Sequence, residues 1–205
     1  MSDFKHTEGS IIKLLDQKYD NDVKYKISNS YIFKSDWESD FFVLRRSSGY
    51  CYEIEVKISR SDFFNDKKKI SKHLILENGH FQKSFRKYST DNDGKKILID
   101  GRYQWESAFE KVDHNFRPNK FYYCVPKDLI KVEEIPEYAG LMYADEYRIT
   151  VIKEPKFLHK EKLKFEEKLC TKFYYYWQSA ENELRKLKWD YDDLKGELDN
   201  IKNKH

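Results

Sequence analysis

Hydrophobic and polar positions change period several times along the first 77 residues, and each period predicts a different element. Apolar residues three or four apart indicate a helix, whereas strict alternation indicates a strand. On this basis the predicted elements are a helix over 7–19, one or two short strands within 24–33, a hairpin formed by 41–46 and 50–59 with its turn at 47–49, and a helix over 60–77.

The middle of the chain lacks a clean period. Residues 78–119 are polar, and within them only 103–112 has apolar spacing that suggests a helix. A stretch this long without obvious structure is usually functional or mobile, so we interpret it as an insertion that forms a flap over a site. Strand-like runs follow at 120–125, 139–144 and 147–153. Strands before and after a helix predict an α/β fold with a mixed central β-sheet flanked by helices.

After Pro155 the pattern becomes that of a coiled coil. Apolar residues recur at alternating intervals of three and four, which is the a/d repeat. They are Cys170, Phe173, Trp177, Ala180, Leu184, Leu187, Tyr191, Leu194, Leu198 and Ile201. We therefore predict a domain over 1–154, interrupted by the insertion at 78–119, and a long coiled-coil-like C-terminal α-helix over 155–205. The helix either packs back on its own domain or pairs with a second copy, and for the leucine-rich part we favour a homodimer through residues 170–201.

Amino-acid composition adds information about only one part of the chain. Charged residues make up 37% of the 205-residue chain and aromatic residues 17%, but the net charge is only +3. Residues 67–120 hold 13 Lys and Arg against 7 Asp and Glu. This basic excess would suit a polyanionic partner such as DNA.

Cysteine and hydropathy patterns indicate the cellular compartment of the protein. Cys51, Cys124 and Cys170 have no paired spacing, which favours reduced thiols, and the six histidines form no zinc pattern. We find no signal-peptide pattern and no apolar run of membrane-spanning length. We therefore expect a cytoplasmic protein without a membrane partner.

The candidate chemistry lies in the predicted hairpin. Asp40 precedes the first strand, and in the second strand Glu53, Glu55 and Lys57 alternate with apolar residues and share one face. Two carboxylates and an ammonium suit a divalent metal and a cation that positions water. The alternative is a solvated charged face, which antiparallel sheets often have. The Glu-x-Lys triplet alone is weak evidence, since it recurs at 154–156 and 166–168.

The order of these residues resembles the PD-(D/E)xK nuclease superfamily. Asp40, a short hairpin, Glu55-Val56-Lys57 and a helix that starts near Ser59 are followed by strand-like runs at 118–126 and 135–143. The succession is similar to the MmcB-like branch, which is associated with DNA repair, and to small phage-encoded relatives. The similarity covers residues 30–152 and departs from the family pattern at Ser39, where a proline often stands.

The resemblance implies a Mg²⁺-dependent endonuclease that hydrolyses phosphodiester bonds in DNA. Asp40 and Glu55 would hold Mg²⁺, with the Val56 carbonyl as a further ligand, and Mn²⁺ would be accepted by the same oxygens. Lys57 would orient the attacking water and stabilise the transition state.

Other residues have a role in some relatives. Lys69, Lys72 and His73, on the following helix, would contact phosphate, although a solvated basic helix face is the simpler interpretation. Glu8 would be an additional acid, or only a carboxylate that favours the helix start. Glu53 would be a neighbour of the metal ligands, a spare ligand or a solvated residue.

Two other functions stay open at this point. The chain could be a nucleic-acid-binding or scaffolding protein that keeps the fold but does not cleave, or a phage accessory protein whose C-terminal helix recruits a partner enzyme. The presence of Asp40, Glu55 and Lys57 together favours cleavage, because a protein that only binds has no need of all three.

Overall fold

The fold is seen in a computed structural model that describes residues 5–34 and 36–202, with only the backbone of residues 201 and 202. Its elements are α1 (Glu8–Lys18), β1 (Val23–Lys34), β2 (Trp37–Arg45), β3 (Cys51–Val56), α2 (Arg60–Asp66), α3 (Ile70–Asn78), β4 (His80–Tyr88), β5 (Leu98–Ile99), β6 (Arg102–Tyr103), β7 (Trp105–Asp113), β8 (Lys120–Pro126), a 3₁₀ turn (Val132–Glu134), β9 (Gly140–Ala144), β10 (Ile149–Lys153) and α4 (Glu166–Lys202).

A six-stranded mixed sheet forms the centre of the fold, in the order β1-β2-β3-β8-β9-β10. The strands β3, β8 and β9 run parallel, while the outer pairs are antiparallel. The predicted α/β class and the predicted hairpin are both confirmed. The segment predicted as one or two short strands is a single strand, β1.

Helices cover both faces of this sheet. Ile11 and Leu15 of α1 belong to one core cluster with Phe41, Ile54 and Val56. On the opposite face, Phe63 of α2 stacks edge-on against Tyr123 of β8, with ring centroids 5.0 Å apart. The central strands are therefore buried on both sides, as parallel strands usually are.

This double coverage overturns the interpretation of the charged face of β3 as solvated. Glu53 and Glu55 are 0% and 1% exposed, and Lys57 is 6% exposed. The predicted alternation is present, but the second face is covered by α2 and α3 rather than by water. A sequence pattern cannot distinguish these cases, since the covering helices come from elsewhere in the chain.

The single helix predicted over 60–77 is also wrong, because two helices occupy this segment. α2 ends at Asp66, and α3 begins at Ile70. The break coincides with two hydrogen bonds of Asp66. Its buried side-chain carboxylate accepts a hydrogen bond from the Tyr123 hydroxyl at 2.8 Å. Its backbone carbonyl accepts the backbone N–H of Lys69 at 2.9 Å.

The insertion is a β-ribbon, and the helix predicted over 103–112 is wrong. β4 and β7 pair antiparallel over nine residues each, from His80 with Asp113 to Tyr88 with Trp105. The short strands β5 and β6 pair beyond them. Trp105, Phe109 and Val112 have helical spacing in the sequence, but their hydrogen bonds run to β4. Cross-strand pairing therefore decides the conformation here, not local periodicity.

The chain divides into two compact units, residues 1–163 and 164–205. The boundary falls after Leu163 rather than after residue 154, and the C-terminal helix begins only at Glu166. α4 is one continuous helix of 37 residues. Within the described part of the chain, no helix combines the length and apolarity that crossing a membrane requires.

Candidate active site

Asp40 and Glu55 lie side by side on neighbouring strands. Phe41 pairs with Ile54, so Asp40, one residue earlier, stands next to Glu55 on the face that α2 and α3 cover. The Asp40 Oδ2 atom accepts the backbone N–H of Val56 at 2.7 Å. The structure thus brings together the two acids that the sequence singled out. Val56 donates its N–H to Asp40, whereas its carbonyl was the predicted metal ligand.

Two lysines hold the Glu55 carboxylate from opposite sides. Lys57 Nζ lies 2.7 Å from Glu55 Oε1, and Lys72 Nζ lies 2.5 Å from Glu55 Oε2. Lys57 is also 3.9 Å from Asp40 Oδ2. Each oxygen of Glu55 therefore has an ammonium neighbour, and such charge-assisted contacts are the partners that a buried carboxylate requires.

Burial and mutual repulsion change the protonation of this cluster. Burial, followed by the charge of Glu55, raises the pKa of Asp40 to about 7. Burial would lower the pKa of Lys57, but the charges of Glu55 and Asp40 outweigh it and leave that pKa raised. Lys57 therefore stays protonated, whereas Asp40 exchanges its proton near neutral pH.

Lys72 is the centre of a buried polar layer beneath these residues. Its ammonium is 3.3 Å from Glu53 Oε1, which also accepts the Trp37 indole N–H at 2.6 Å. The same ammonium lies 5.3 Å from the centre of the Trp37 ring and 5.2 Å from that of Phe121. Burial raises the pKa of Glu53 to about 7, against the lowering effect of Lys72. Glu53 Oε2 is buried and has no hydrogen-bond partner within the described residues.

A cavity of about 610 Å³ opens over Asp40, Glu55 and Lys57. Five lysines and four acids contribute to its wall. The lining residues are Tyr31, Lys34, Asp36, Trp37, Glu38, Asp40, Glu55, Lys57, Lys68, Lys69, Ile70, Ser71, Lys72 and Ile75. The carboxylates are thus surrounded by cations, an arrangement that would tolerate a negatively charged substrate.

The three basic residues predicted on the following helix have different surroundings. Lys69 reaches the cavity and lies 3.6 Å from Glu55 Oε1 with its side chain 55% exposed. Lys72 is buried and not part of a solvated basic face. His73 does not line the cavity, since its Nδ1 bonds the Tyr138 hydroxyl at 2.6 Å and its Nε2 bonds the Asp66 carbonyl at 2.9 Å.

Glu8 is not among the cavity residues. It is exposed in the first turn of α1, and α1 packs on the sheet face opposite to Glu53 and Glu55. Among the roles considered, its position matches that of a carboxylate at a helix start.

Trp37 is a site residue that sequence reasoning missed. Strict alternation along β2 would put Trp37 and Asp40, three residues apart, on opposite faces. The β1–β2 pairing is irregular between Ser30 and Lys34, beside this end of β2. Trp37 and Asp40 nevertheless line the same cavity. No signal in the sequence marks that irregularity.

The oxygen donors here suit a hard divalent cation. Mg²⁺ needs only one or two protein carboxylates when water and substrate phosphate supply the rest. Repulsion from Glu55 contributes to the raised pKa of Asp40, and a bound cation would relieve it. Asp40 and Glu55 therefore fit Mg²⁺ or Mn²⁺. Across residues 5–34 and 36–202, however, no group of three or more His, Cys, Asp and Glu side chains is arranged to hold a metal.

The sequence matches no protein-family model and no curated protein. A protein of unknown function from Silicibacter pomeroyi is similar in structure, with a TM-score of 0.44 and 15% identity over 76% of this chain and 78% of that chain. A similarity this distant carries no argument about function.

Proposed function

We propose that this protein is a metal-dependent nuclease that hydrolyses phosphodiester bonds in DNA. The observation that supports this most is the meeting of Asp40, Glu55 and Lys57 in one cavity, with Lys57 Nζ 2.7 Å from Glu55 and 3.9 Å from Asp40. Asp40 and Glu55 would hold Mg²⁺, or Mn²⁺ in its place. When bound, the ion would lower the pKa of a coordinated water and neutralise charge on the phosphate.

The chain's own residues would orient the reactants. Lys57 would face the scissile phosphate as a fixed ammonium, because Glu55 and Asp40 keep it charged. Lys72 would fix the orientation of Glu55 from below, and Trp37 would fix Glu53. Lys69, at the exposed end of the cavity, would contact a neighbouring phosphate. Preorganised charges of this kind stabilise a transition state without rearranging during the reaction.

The test is a cleavage assay on end-labelled single-stranded, duplex and branched DNA, and on RNA, with Mg²⁺, Mn²⁺ or EDTA. We expect metal-dependent cleavage of DNA that Glu55→Gln and Lys57→Met reduce by at least about 100-fold. Glu38→Gln is the matched control, since Glu38 lines the same cavity but its side chain is exposed. Equal activity in all variants would contradict the proposal, as would activity in EDTA.

Metal binding is tested separately by titration calorimetry. Mg²⁺ and Mn²⁺ are titrated into the wild type and into the Asp40→Ala, Glu55→Ala double variant, with DNA present and absent. Heat that appears only with the wild type would support the two carboxylates as ligands. Equal heats in the two proteins under both conditions would count against them.

A second candidate is a nucleic-acid-binding protein that does not cleave. The pairing of both Glu55 oxygens with lysines favours it, because a metal would have to compete with an ammonium. DNA binding without cleavage in either metal, unaffected by Lys57→Met, would support this alternative.

We further propose that α4 pairs with its copy in a homodimer. Leu184, Leu187 and Leu194 of the a/d stripe are exposed by 62%, 64% and 64%. Covering such a stripe is the usual driving force for a coiled coil. Two copies would bring two sites to one DNA duplex.

We assign the proposed nuclease activity to the cytoplasm, where thiols such as those of Cys51 and Cys124 stay reduced.

A further inference from the structure

The β4–β7 ribbon has two faces that differ in chemistry. Residues paired directly across an antiparallel ribbon share a face, and successive pairs alternate between faces. On one face, Lys83 is paired with Glu110 and Lys87 with Glu106. These ammonium and carboxylate groups are 3.9 and 3.0 Å apart. This face, which also holds Phe85, is therefore close to neutral, and we call it the paired face.

The other face combines aromatic and basic side chains, and we call it the aromatic face. Its residues, from base to tip, are His80, Asp113, Gln82, Lys111, Ser84, Phe109, Arg86, Ser107, Tyr88 and Trp105. Within β4 and β7 its one carboxylate is that of Asp113, at the base and 4.0 Å from Lys111. Toward the tip, Arg86 is exposed on this face, and the residue paired with it across the ribbon is Ser107 rather than an acid. The excess charge of the ribbon is thus positive and confined to one side.

Two aromatic rings on this face are open to solvent. Phe109 is 67% exposed and Trp105 54% exposed. The rings of Trp105 and Tyr88 lie together, with centroids 3.9 Å apart. Lys96 places its ammonium 4.0 Å from the centre of the Tyr88 ring. Large exposed rings beside unneutralised cations are unusual on a surface that only faces water.

Nucleic acid with unpaired bases matches this combination of groups. Exposed rings stack on base faces, and neighbouring Arg and Lys side chains neutralise phosphates. Residues two apart on a strand are about 7 Å from each other, so the ribbon presents its groups as a regular row. In a duplex the base faces are already stacked on one another, which leaves exposed rings without a partner.

We infer that the aromatic face of the β4–β7 ribbon binds single-stranded nucleic acid, with Trp105 and Phe109 stacking on bases and Arg86 contacting phosphate. The inference rests on the proposed function only in taking nucleic acid as the ligand. It names a binding surface outside the candidate active site, since no residue of the ribbon lines that cavity.

The test is fluorescence anisotropy with a labelled oligodeoxynucleotide of about 16 nucleotides, single-stranded or annealed to its complement. EDTA is present throughout, so that binding is measured whether or not the protein cleaves. Trp105→Ala and Phe109→Ala remove rings from the aromatic face, and Arg86→Gln removes its cation. Phe85→Ala and Lys83→Gln are the matched controls on the paired face. Thermal unfolding of each variant identifies any loss of folding.

We expect each ring substitution to weaken single-strand binding by at least about fivefold. Arg86→Gln should weaken it and reduce its salt dependence, while both controls stay within about twofold of the wild type. Equal losses from the two faces would overturn the inference, as would duplex binding at equal or higher affinity. If the wild-type protein binds single strands in this assay but cleaves nothing in the assay with Mg²⁺ or Mn²⁺, the result would count against the nuclease proposal alone.

Discussion

The ammonium of Lys72 lies 2.5 Å from Glu55 Oε2 at a place where both side chains are almost inaccessible to solvent, at 6% and 2% exposed. Lys72 belongs to α3 and Glu55 to β3, so this pair joins the helical layer to the sheet directly beneath the cavity. A buried charge that loses its partner is costly, since neither water nor another group replaces it.

Lys72→Met should therefore destabilise the protein strongly. Methionine keeps most of the side-chain volume but leaves Glu53 and Glu55 without the buried ammonium. We expect the free energy of unfolding in urea to fall by about 3–5 kcal/mol. Lys69→Met is the control and should change it by less than about 1 kcal/mol, because the Lys69 side chain is 55% exposed. A loss of less than about 1 kcal/mol in Lys72→Met, as small as that of the control, would show that Lys72 is not a structural cation.

Asp66 should contribute stability that depends on pH. Burial alone would raise the pKa of Asp66, but the hydrogen bond from His73 and the charge of Lys72 outweigh it and hold that pKa well below its usual range. A carboxyl with a depressed folded pKa stabilises the fold above its unfolded pKa of about 3.9, and this contribution disappears as the pH falls.

Asp66→Asn tests this expectation by urea unfolding at several pH values. The variant should be less stable than the wild type at pH about 7, and the difference should shrink steadily below pH about 4. A difference that stays constant with pH would mean that the carboxylate charge contributes nothing.

Gly140 occupies a position with no room for a side chain. A Cβ atom there would lie 2.5 Å from Cδ1 of Tyr122 and 2.9 Å from the Lys153 carbonyl oxygen. The Tyr122 ring is buried and its hydroxyl donates to Glu154 at 2.8 Å, so it cannot move aside freely. Gly140→Ala should cost about 1–3 kcal/mol in chemical denaturation.

Gly9→Ala is the matched control for Gly140, because a Cβ at Gly9 meets nothing within 4 Å and the residue is helical. Alanine should leave stability unchanged or raise it by up to about 1 kcal/mol. A stable Gly140→Ala protein would contradict the close packing of β8 and β9.

The oligomeric state should depend on the a/d stripe of α4. Leu187→Lys combined with Leu194→Lys places charges in the stripe, and sedimentation equilibrium should then show a monomer in place of a dimer. Trp189→Lys is the control, since Trp189 is 67% exposed but lies off the stripe, and it should remain dimeric. A wild-type monomer at all concentrations would exclude this mode of assembly.

Cys170 reports on the direction of pairing. It is exposed, whereas Cys51 and Cys124 are buried, and it lies at the first position of the stripe. In a parallel dimer two copies of Cys170 would be neighbours, so a short bis-maleimide should link them. In an antiparallel pair over 170–201 they would be separated by about 46 Å, and no link should form.

The sequence by itself determined the hairpin and the grouping of Asp40, Glu55 and Lys57 on it. These follow from period-two alternation and from a short turn, which are local properties of the chain. The long helix α4 was readable for the same reason, because a heptad repeat persists over many turns.

Only the tertiary structure decided what surrounds that group. Three features depend on contacts between distant segments: the burial of the charged face of β3, the role of Lys72 as a buried cation, and the orientation of the Trp37 side chain toward the cavity. The insertion became a ribbon because β4 and β7 pair with each other, although 105–112 alone has helical spacing. Local periodicity fixes how side chains alternate along a segment, but the partner of each face is chosen by the rest of the chain.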